Sequence, residues 1–510
     1  MGNGGAIVLP GHGAVAVLHF FQKTKYAIIK SAQPRCPALT GAGRALFALV
    51  WRRFSLTKDL TQGGITKTLV LFSLPMIAGN LLQQLYNIAD TLIVGRFLGA
   101  NALAAVGSAY TLMTFLTSIL LGLAMGSGAL VSICWGQRDG ERMRSCVAAS
   151  FTLIGVLAAL LTVGVYLLVD PILALLQVPE QVWDLMRVYL LVIFAGIPAT
   201  FLYNYFACML RAVGNSAVPL AFLGVSSVMN IGLDLLFVLR FDWGVAGAAF
   251  ATVLSQYLSG IGLAIYSLFG ARELLPHKQH WRFGRARLAE VASYSLLTCM
   301  QQSIMNFGIL MVQGRVNSFG PAVMSAFAAA VKIDTFAYMP AQDLGNAFST
   351  FVAQNYGAGK ADRIQKGIRR AVAISAGFCV AVSALVFVFA HPLMLIFVAP
   401  EETEILAIGV QYLRIEGSFY CGIGCLFLLY GLYRAMEKPG MSVVLTILSL
   451  GTRVILAYGL SAIPAIGVTG IWWSVPIGWF LADLVGFVYY WKNRARLQAV
   501  LTGSAKGETT

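Results

Sequence analysis

Long apolar runs recur along almost the whole chain, and they constrain the fold more than any other feature of the sequence. Each run is about 20 residues or longer, the length that a helix needs to cross the hydrocarbon core of a bilayer. The runs are too long for the strands of a membrane barrel, and they lack its alternating pattern. Hydrophobic residues make up 58% of the chain and charged residues only 11%, which excludes an ordinary soluble fold. We predict an all-α polytopic membrane protein with twelve spans. They are placed at 69–97, 102–135, 143–169, 183–209, 217–239, 244–268, 288–318, 322–356, 364–390, 404–432, 440–462 and 467–491.

Basic residues mark one side of these spans. The net charge is +15, and Lys and Arg concentrate in the segments that follow even-numbered spans, whereas those after odd-numbered spans carry acids and essentially one base, Arg240. Because Lys and Arg mark cytoplasmic loops, we predict that both termini are cytoplasmic in a cell (inner or plasma) membrane protein. A nucleic-acid-binding protein would need a basic stripe on a soluble fold, so we expect no nucleic-acid partner.

The chain repeats itself with an offset near 221 residues: WGQRDGERM at 135–143 aligns with YGAGKADRI at 356–364. Further pairs are Gly99 with Gly320, Tyr189 with Tyr412, Arg211 with Arg434, and GVAG at 244–247 with GVTG at 467–470. Six spans per repeat is an even number, so both halves cross in the same sense. We therefore predict two six-helix bundles related by a pseudo-two-fold axis along the membrane normal, as in one class of transporters.

The span positions define the expected segments of the chain. Residues 1–55 do not fit the pattern and are interpreted as an extension without structure, from an upstream start codon; the alternative is a thirteenth helix, which would move the N-terminus to the other side. The remaining segments are an N-lobe at 56–270, a basic cytoplasmic loop at 271–287, a C-lobe at 288–492 and a cytoplasmic tail at 493–510.

Five polar residues of the first half fall at one level of the bilayer. At a rise of about 1.5 Å per residue, all lie about 8–12 Å below the outer ends of their helices. They are Asp90, Tyr189, Asn230, Asp234 and Thr252. No Lys or Arg of that half shares the level, so two carboxylates held together would favour a proton or a small cation. The alternative is that the aspartates cap polar backbone or meet water at the outer mouth.

The second half differs in its chemistry. Its ionisable residues fall about 13–18 Å from the outer face; they are Lys332, Asp334, Arg414, Glu416 and Arg453. Three cations and two anions at one depth can neutralise each other in a structural network, or can act in substrate binding or in coupling the lobes.

Two further features suggest how a transporter would work. Pro75 lies fifteen residues before Asp90 in the first span, where it permits a bend in the helix. Aromatic and methionine side chains could line a loose apolar cavity. The candidates are Tyr86, Met113, Phe115, Met125, Phe307, Met311, Tyr338 and Met339.

Catalysis is poorly supported. The five histidines lie outside the predicted spans, and HKQH at 277–280 is interpreted as a solvated stretch of a basic loop. The eight cysteines form no CxxC pair and are interpreted as small apolar residues without disulfides. We predict no catalytic residue, no metal and no cofactor, with H⁺ or Na⁺ as the coupling ion.

The segment FSLPMIAGNLLQQLYNIADTLIVGRFLGANALAAVG at 72–107, the WGQ repeat and SSVMNIGLDLLFV at 226–238 resemble the multidrug and toxic compound extrusion (MATE) family, in its MepA-type bacterial branch. The resemblance implies two six-helix lobes that expel drugs, many of them cationic, in exchange for H⁺ or Na⁺. It also implies that the five polar residues of the first half match the family's N-lobe coupling site, and that Pro75 matches the proline at which the first helix is proposed to bend.

One departure concerns the seventh span, where some members carry an acidic residue of a C-lobe cation site and this sequence has Gln301 and Gln302. The expected function is secondary active multidrug efflux by alternating access, with small drug-like substrates, a bilayer environment and a monomeric state. The alternative is a lipid-linked oligosaccharide flippase of related fold, and a more remote one is an intramembrane enzyme.

Overall fold

The structure, a computed structural model, describes residues 58–175, 178 and 180–501. The extension predicted at 1–55, with Cys36, lies outside the described residues. Within them there is no strand, and eleven helices are long and apolar enough to cross a membrane, or twelve if one bent pair is a single crossing. The crossings are α1 (Ile65–Phe97), α2 (Ala100–Gln137), α3 (Gly140–Leu167), α4 (Glu180–Ala212), α5 (Ala217–Arg240), α6 (Gly244–Gly270), α7 (Arg285–Asn317), α8 (Pro321–Gly357), α9 (Ala361–Met394), α10 (Thr403–Gly417 with Tyr420–Ala435), α11 (Pro439–Ser461) and α12 (Thr469–Leu501).

The predicted class and number of spans are confirmed, and large apolar side chains such as Leu160 and Phe480 are exposed around the bundle, as contact with lipid requires. Two details differ from the prediction. A short helix, Val169–Leu175, follows α3, and α12 continues to Leu501 where the sequence predicted an end at 491.

Two crossings are broken in the middle; Pro198 indicated a possible kink in the first, and nothing in the sequence predicted the second. In α4 a 3₁₀ turn, Phe194–Gly196, separates two α-helical pieces, and Pro198 in the first turn after it cannot donate the backbone hydrogen bond that a continuous helix needs. In α10 the two pieces meet at 51°. The two breaks lie about 223 residues apart, at equivalent positions of the two repeats.

Backbone conformation supports the internal repeat independently of side chains. Residues with positive φ, a conformation that L side chains rarely adopt, fall at equivalent positions of the two halves. The pairs are Gly99 (87°) with Gly320 (100°), Arg138 (58°) with Gly359 (67°), Gly214 (88°) with Glu437 (60°), and Gly244 (57°) with Gly467 (54°). The turns before α2 and α8, and those after them, therefore have the same local geometry in both six-helix bundles.

The two bundles meet along α1, α2, α7 and α8: α2 packs on α7 and α8, and α1 packs on α8. Their closest backbone contact obeys the pseudo-two-fold axis. A Cβ at Gly136 of α2 would collide with the carbonyl oxygen of Gln354, and a Cβ at Gly357 of α8 would collide with that of Ile133. Both pairs are related by the offset of 221. The WGQ repeat therefore supplies the glycines that let α2 and α8 cross.

The loops rich in Lys and Arg meet near this crossing, and we call that end of the bundle the basic end. A segment at 58–64, the strap, lies across it. The Leu60 N–H donates to Gln354 Oε1 at 3.1 Å, and Gln354 Nε2 donates to the Ala212 carbonyl at 2.8 Å. The structure is thus closed at the basic end.

The loop between the bundles is docked through His280, so the interpretation of HKQH as solvated is wrong for this residue, whereas His277, Lys278 and Gln279 are exposed. His280 is only 6% exposed; its Nδ1 accepts from the His277 N–H at 2.9 Å, and its Nε2 lies 2.8 Å from Glu141 Oε2 at the start of α3. Because Nδ1 accepts, Nε2 carries the proton that Glu141 accepts. This contact could not be predicted from the sequence, because His280 and Glu141 are 139 residues apart.

Candidate functional site

Two aspartates lie inside the first bundle with their oxygens unsatisfied. Asp234 of α5 is fully buried, and neither of its carboxylate oxygens has a hydrogen-bond partner; Asp90 Oδ1 of α1 is also buried without one. The two carboxylates are close enough to repel each other electrostatically. None of the ion pairs among the described residues includes either acid. Two acids without a cation are costly at this depth unless something neutralises them.

The other three predicted residues surround this pair. Asn230, one helical turn before Asp234 on the same face of α5, donates from Nδ2 to Thr252 Oγ1 of α6 at 3.3 Å. Its own Oδ1 is buried without a donor. Tyr189 of α4 is buried and lies within electrostatic range of both aspartates. The structure therefore brings all five residues from four helices together, as their common depth predicted.

The local backbone helps to position this site. Immediately after Asp234 the helix widens into a π-helical turn, Leu236–Arg240, a distortion that occurs often at functional sites. Pro75 lies within α1, which is assigned as a helix without interruption. Because its ring removes one backbone hydrogen bond, Pro75 marks the weakest point of the helix that carries Asp90.

In the second bundle the structure brings together three of the five predicted ionisable residues. Asp334 of α8 accepts a hydrogen bond from Tyr420 Oη at 2.5 Å and lies within electrostatic range of Glu416 of α10 and Arg453 of α11. Asp334 and Glu416 are 3% and 2% exposed. Arg453 Nε and Glu416 Oε2 have no hydrogen-bond partner.

The prediction was wrong for Lys332 and Arg414. Both are exposed, and each lies over an aromatic ring: Lys332 Nζ is 5.8 Å from the centre of Phe397, and Arg414 Cζ is 5.6 Å from that of Phe387. Each is two residues from an acid of the cluster, which places it on nearly the opposite face of its helix. The buried cluster thus contains two acids and one cation.

The predicted apolar cavity stays a prediction, and the structure places one of its candidate residues at a small cavity and the others elsewhere. A cavity between the bundles near the basic end is lined by Met125, Gln301, Gln302, Gln342, Asn346, Phe427, Tyr430 and Arg434. Of the eight apolar candidates only Met125 lines it. Met339 is buried in the core, whereas Phe307 and Met311 are 59% and 39% exposed. Tyr338 packs on Phe427, with ring centres 6.2 Å apart, while Tyr86, Met113 and Phe115 are half-buried. Helix periodicity alone does not distinguish a cavity face from a lipid face.

Sequence reasoning missed two buried acids. Asp343 of α8 is 1% exposed and accepts from Asn80 Nδ2 of α1 at 2.6 Å, which links the two bundles. Asp483 of α12 is 7% exposed, and its Oδ1 has no hydrogen-bond partner. Both could have been found, since each is an acid inside an apolar span and such a residue is a functional candidate by default.

No cluster of three or more His, Cys, Asp or Glu side chains that could hold a metal occurs in the part of the chain that the structure describes. The cysteines described there are all free. The first bundle instead offers a compact group of oxygen acceptors: Asp90 Oδ1, Asn230 Oδ1 and both oxygens of Asp234 are buried and await a donor or a cation. Such a group can take up a proton or bind a hard cation such as Na⁺.

Known proteins resemble this chain over nearly its full length. The MatE family profile matches residues 75–236 and 295–459, one match in each repeat. The chain is 30% identical over 452 residues to "Probable multidrug resistance protein YpnP" of Bacillus subtilis, covering 87% of this chain and 99% of that protein. It is 25% identical over 441 residues to "Multidrug export protein MepA" of Staphylococcus aureus, covering 85% and 95%.

Solved structures agree on the fold. A structure described as that of a MOP superfamily transporter from Pyrococcus furiosus superposes with a TM-score of 0.80 at 24% identity, covering 87% of this chain and 98% of that one. A structure described as "MATE in the bent conformation" gives a TM-score of 0.80 at 25% identity, covering 88% and 98%. With both repeats matched and a relative similar over its whole length, the chain belongs to the MatE family, the family that its motifs resemble and whose members are transporters and not enzymes.

Proposed function

We propose that this protein is a secondary active exporter of amphipathic, cationic organic compounds, driven by inward movement of H⁺ or Na⁺. The observation that carries the proposal is the group of four buried acceptor oxygens on Asp90, Asn230 and Asp234, which have neither a donor nor a cation. Two of its relatives are named as multidrug resistance and multidrug export proteins. We place both termini in the cytoplasm, because the basic end carries the Lys- and Arg-rich loops.

Coupling follows from the electrostatics of this group. With both carboxylates charged, Asp90 and Asp234 repel each other and attract a cation from the side opposite the basic end. Uptake of a proton or Na⁺ removes that repulsion and allows the part of α1 beyond Pro75 to move toward α5. Substrate held between the bundles is then displaced outward, and the return through the inward-open state releases the ion to the cytoplasm.

The test is transport by the purified protein in liposomes. Efflux of a fluorescent organic cation is followed while a pH gradient and a Na⁺ gradient are imposed separately. We expect one gradient to drive transport, and Asp90→Asn to abolish that dependence because the carboxylate that takes up the ion is gone. Asp184→Asn, which neutralises an exposed aspartate of α4, is the matched control and should transport normally.

The outcomes separate the alternatives. Gradient-driven transport that survives Asp90→Asn at wild-type protein levels would contradict the coupling role of the aspartates. No transport under either gradient would favour the lipid-linked oligosaccharide flippase, which has no need for an acid pair without a cation.

A further inference from the structure

The cavity near the basic end has a composition that the proposed coupling site does not explain. It lies where the two bundles meet: Met125 comes from α2, and the other lining side chains come from the second bundle. The polar members are amides and one arginine, namely Gln301, Gln302, Gln342, Asn346 and Arg434. No Asp or Glu is among them. The charge of this cavity is therefore positive, opposite to that of the site around Asp234.

Arg434 is a buried cation without a counter-charge. Its side chain is 4% exposed; Nε donates to Ser349 Oγ at 3.2 Å, and Nη2 donates to Asn346 Oδ1 at 3.1 Å. Both partners are neutral, and none of the ion pairs among the described residues includes Arg434. Buried arginines normally pair with an acid, and a guanidinium has five N–H donors, so Arg434 can bind a further acceptor.

The amide side chains around Arg434 can bind the same acceptor group. Gln301 and Gln302 are 3% and 8% exposed, and Gln301 Oε1 has no hydrogen-bond partner. Rotation of that amide would present its NH₂ group to a ligand instead. Glutamine at these positions, where an acid would neutralise Arg434, keeps the positive charge available.

The position of the cavity puts it on the substrate path. In the closed basic end its volume is about 20 Å³, room for about one water molecule, so an organic ligand cannot bind in this state. Alternating access requires the bundles to part at the basic end. That movement separates Met125 from the second bundle and exposes Arg434 and the glutamines to substrate entering from this side.

We propose that this cavity is an anion-recognising subsite and that Arg434 selects exported compounds that carry a carboxylate beside their cationic group. The inference rests on the proposed export function. A single arginine, with no other Lys or Arg lining the cavity, compensates a single negative charge and matches the planar, bidentate geometry of a carboxylate. A diphosphate, as in lipid-linked sugars, would require more cations.

Two dyes with the same ring system test this subsite: rhodamine 110, which has a free carboxylate, and rhodamine 123, its methyl ester. Transport of each is measured in proteoliposomes containing wild-type protein or Arg434→Gln, under the gradient that drives export. We expect Arg434→Gln to slow transport of rhodamine 110 about tenfold, the loss of one charge-assisted hydrogen-bonded contact. Transport of rhodamine 123 should change less than twofold.

Two further variants keep the result interpretable if Arg434→Gln folds poorly. Arg434→Lys retains the charge without the bidentate geometry and should recover part of the rhodamine 110 transport. Gln302→Glu leaves the arginine in place and supplies an internal carboxylate, so it should reproduce the selective loss.

Equal loss of both dyes in folded Arg434→Gln and Gln302→Glu would overturn the subsite and leave export intact. Wild-type transport of the ester but never of the acid would also overturn it. Failure of the wild type to transport rhodamine 123 would instead contradict the export function on which the inference rests.

Discussion

Asp334 depends on Tyr420 for its hydrogen bond, at 2.5 Å in a site where both side chains are buried. We expect Tyr420→Phe to lower the free energy of unfolding by about 1–3 kcal/mol, the cost of leaving a buried acceptor without its donor. The measurement is thermal unfolding in detergent, with Tyr110→Phe as control. Tyr110 is 49% exposed, so loss of its hydroxyl should change the free energy of unfolding by no more than about 0.5 kcal/mol. Equal melting temperatures for both variants would contradict this interpretation of the cluster.

The same cluster shows what the sequence could predict about individual residues. Depth along a helix can be calculated from residue counts, and it correctly predicted that Asp90 and Asp234 lie close together. Direction around the helix was not used, and Lys332 and Arg414 were therefore assigned to a network that they do not join. Arg434 could not have been recognised as unpaired, because its neighbours Asn346 and Ser349 lie 88 and 85 residues away in the chain.

The strap, residues 58–64, holds the basic end closed through its backbone carbonyls. Arg363 at the start of α9 donates from Nη1 to the Gly63 carbonyl at 2.7 Å and from Nη2 to the Gln62 carbonyl at 2.7 Å. Lys360 Nζ donates to the Thr61 carbonyl at 2.8 Å. On its other side the Lys58 N–H donates to the Gly214 carbonyl between α4 and α5 at 3.4 Å. One short segment thus joins both bundles.

We expect Arg363→Gln to loosen the strap, because glutamine is too short and lacks the charge to reach the same carbonyls. Amide hydrogen exchange over 58–64 and 210–216 should then be faster than in wild type. Arg369→Gln, on the same helix with an exposed side chain, should leave the exchange unchanged. Identical exchange in the two variants would show that the strap does not depend on Arg363.

At the scale of the helices, the sequence predicted the number and length of the crossings but not all of their internal breaks. The apolar runs predicted every crossing, since bilayer thickness fixes the length of a span. They did not predict the break within α10, which has no proline at Ser418 and Phe419 and is imposed by packing. A Cβ at Gly417, just before the break, would lie 2.9 Å from Val386 Cγ1 of α9, so the two helices touch at the point where the crossing bends.

At the scale of the whole molecule, the pseudo-two-fold axis relates two equivalent contacts between α2 and α8. Gly136 packs on the Gln354 carbonyl and Gly357 packs on the Ile133 carbonyl, and the offset of 221 relates one contact to the other. Such a contact is isologous: what α2 offers to α8, α8 offers to α2. It also belongs to one conformation only, because these helices must separate when the basic end opens.

We expect Gly136→Ala and Gly357→Ala each to destabilise the closed basic end by about 1–3 kcal/mol, since each methyl group would overlap a backbone oxygen that cannot turn away. Gly107→Ala, on α2 with no atom within 4 Å of the added Cβ, should be neutral or slightly stabilising. Thermal unfolding in detergent measures all three.

The double variant Gly136→Ala with Gly357→Ala tests whether the two contacts are energetically coupled. Once the first methyl group has pushed α2 and α8 apart, the second methyl group meets less resistance. The combined loss of unfolding free energy should therefore be smaller than the sum of the two single losses. Strictly additive losses would mean that the two glycines act independently. The contacts would then be related by the sequence repeat without being energetically coupled.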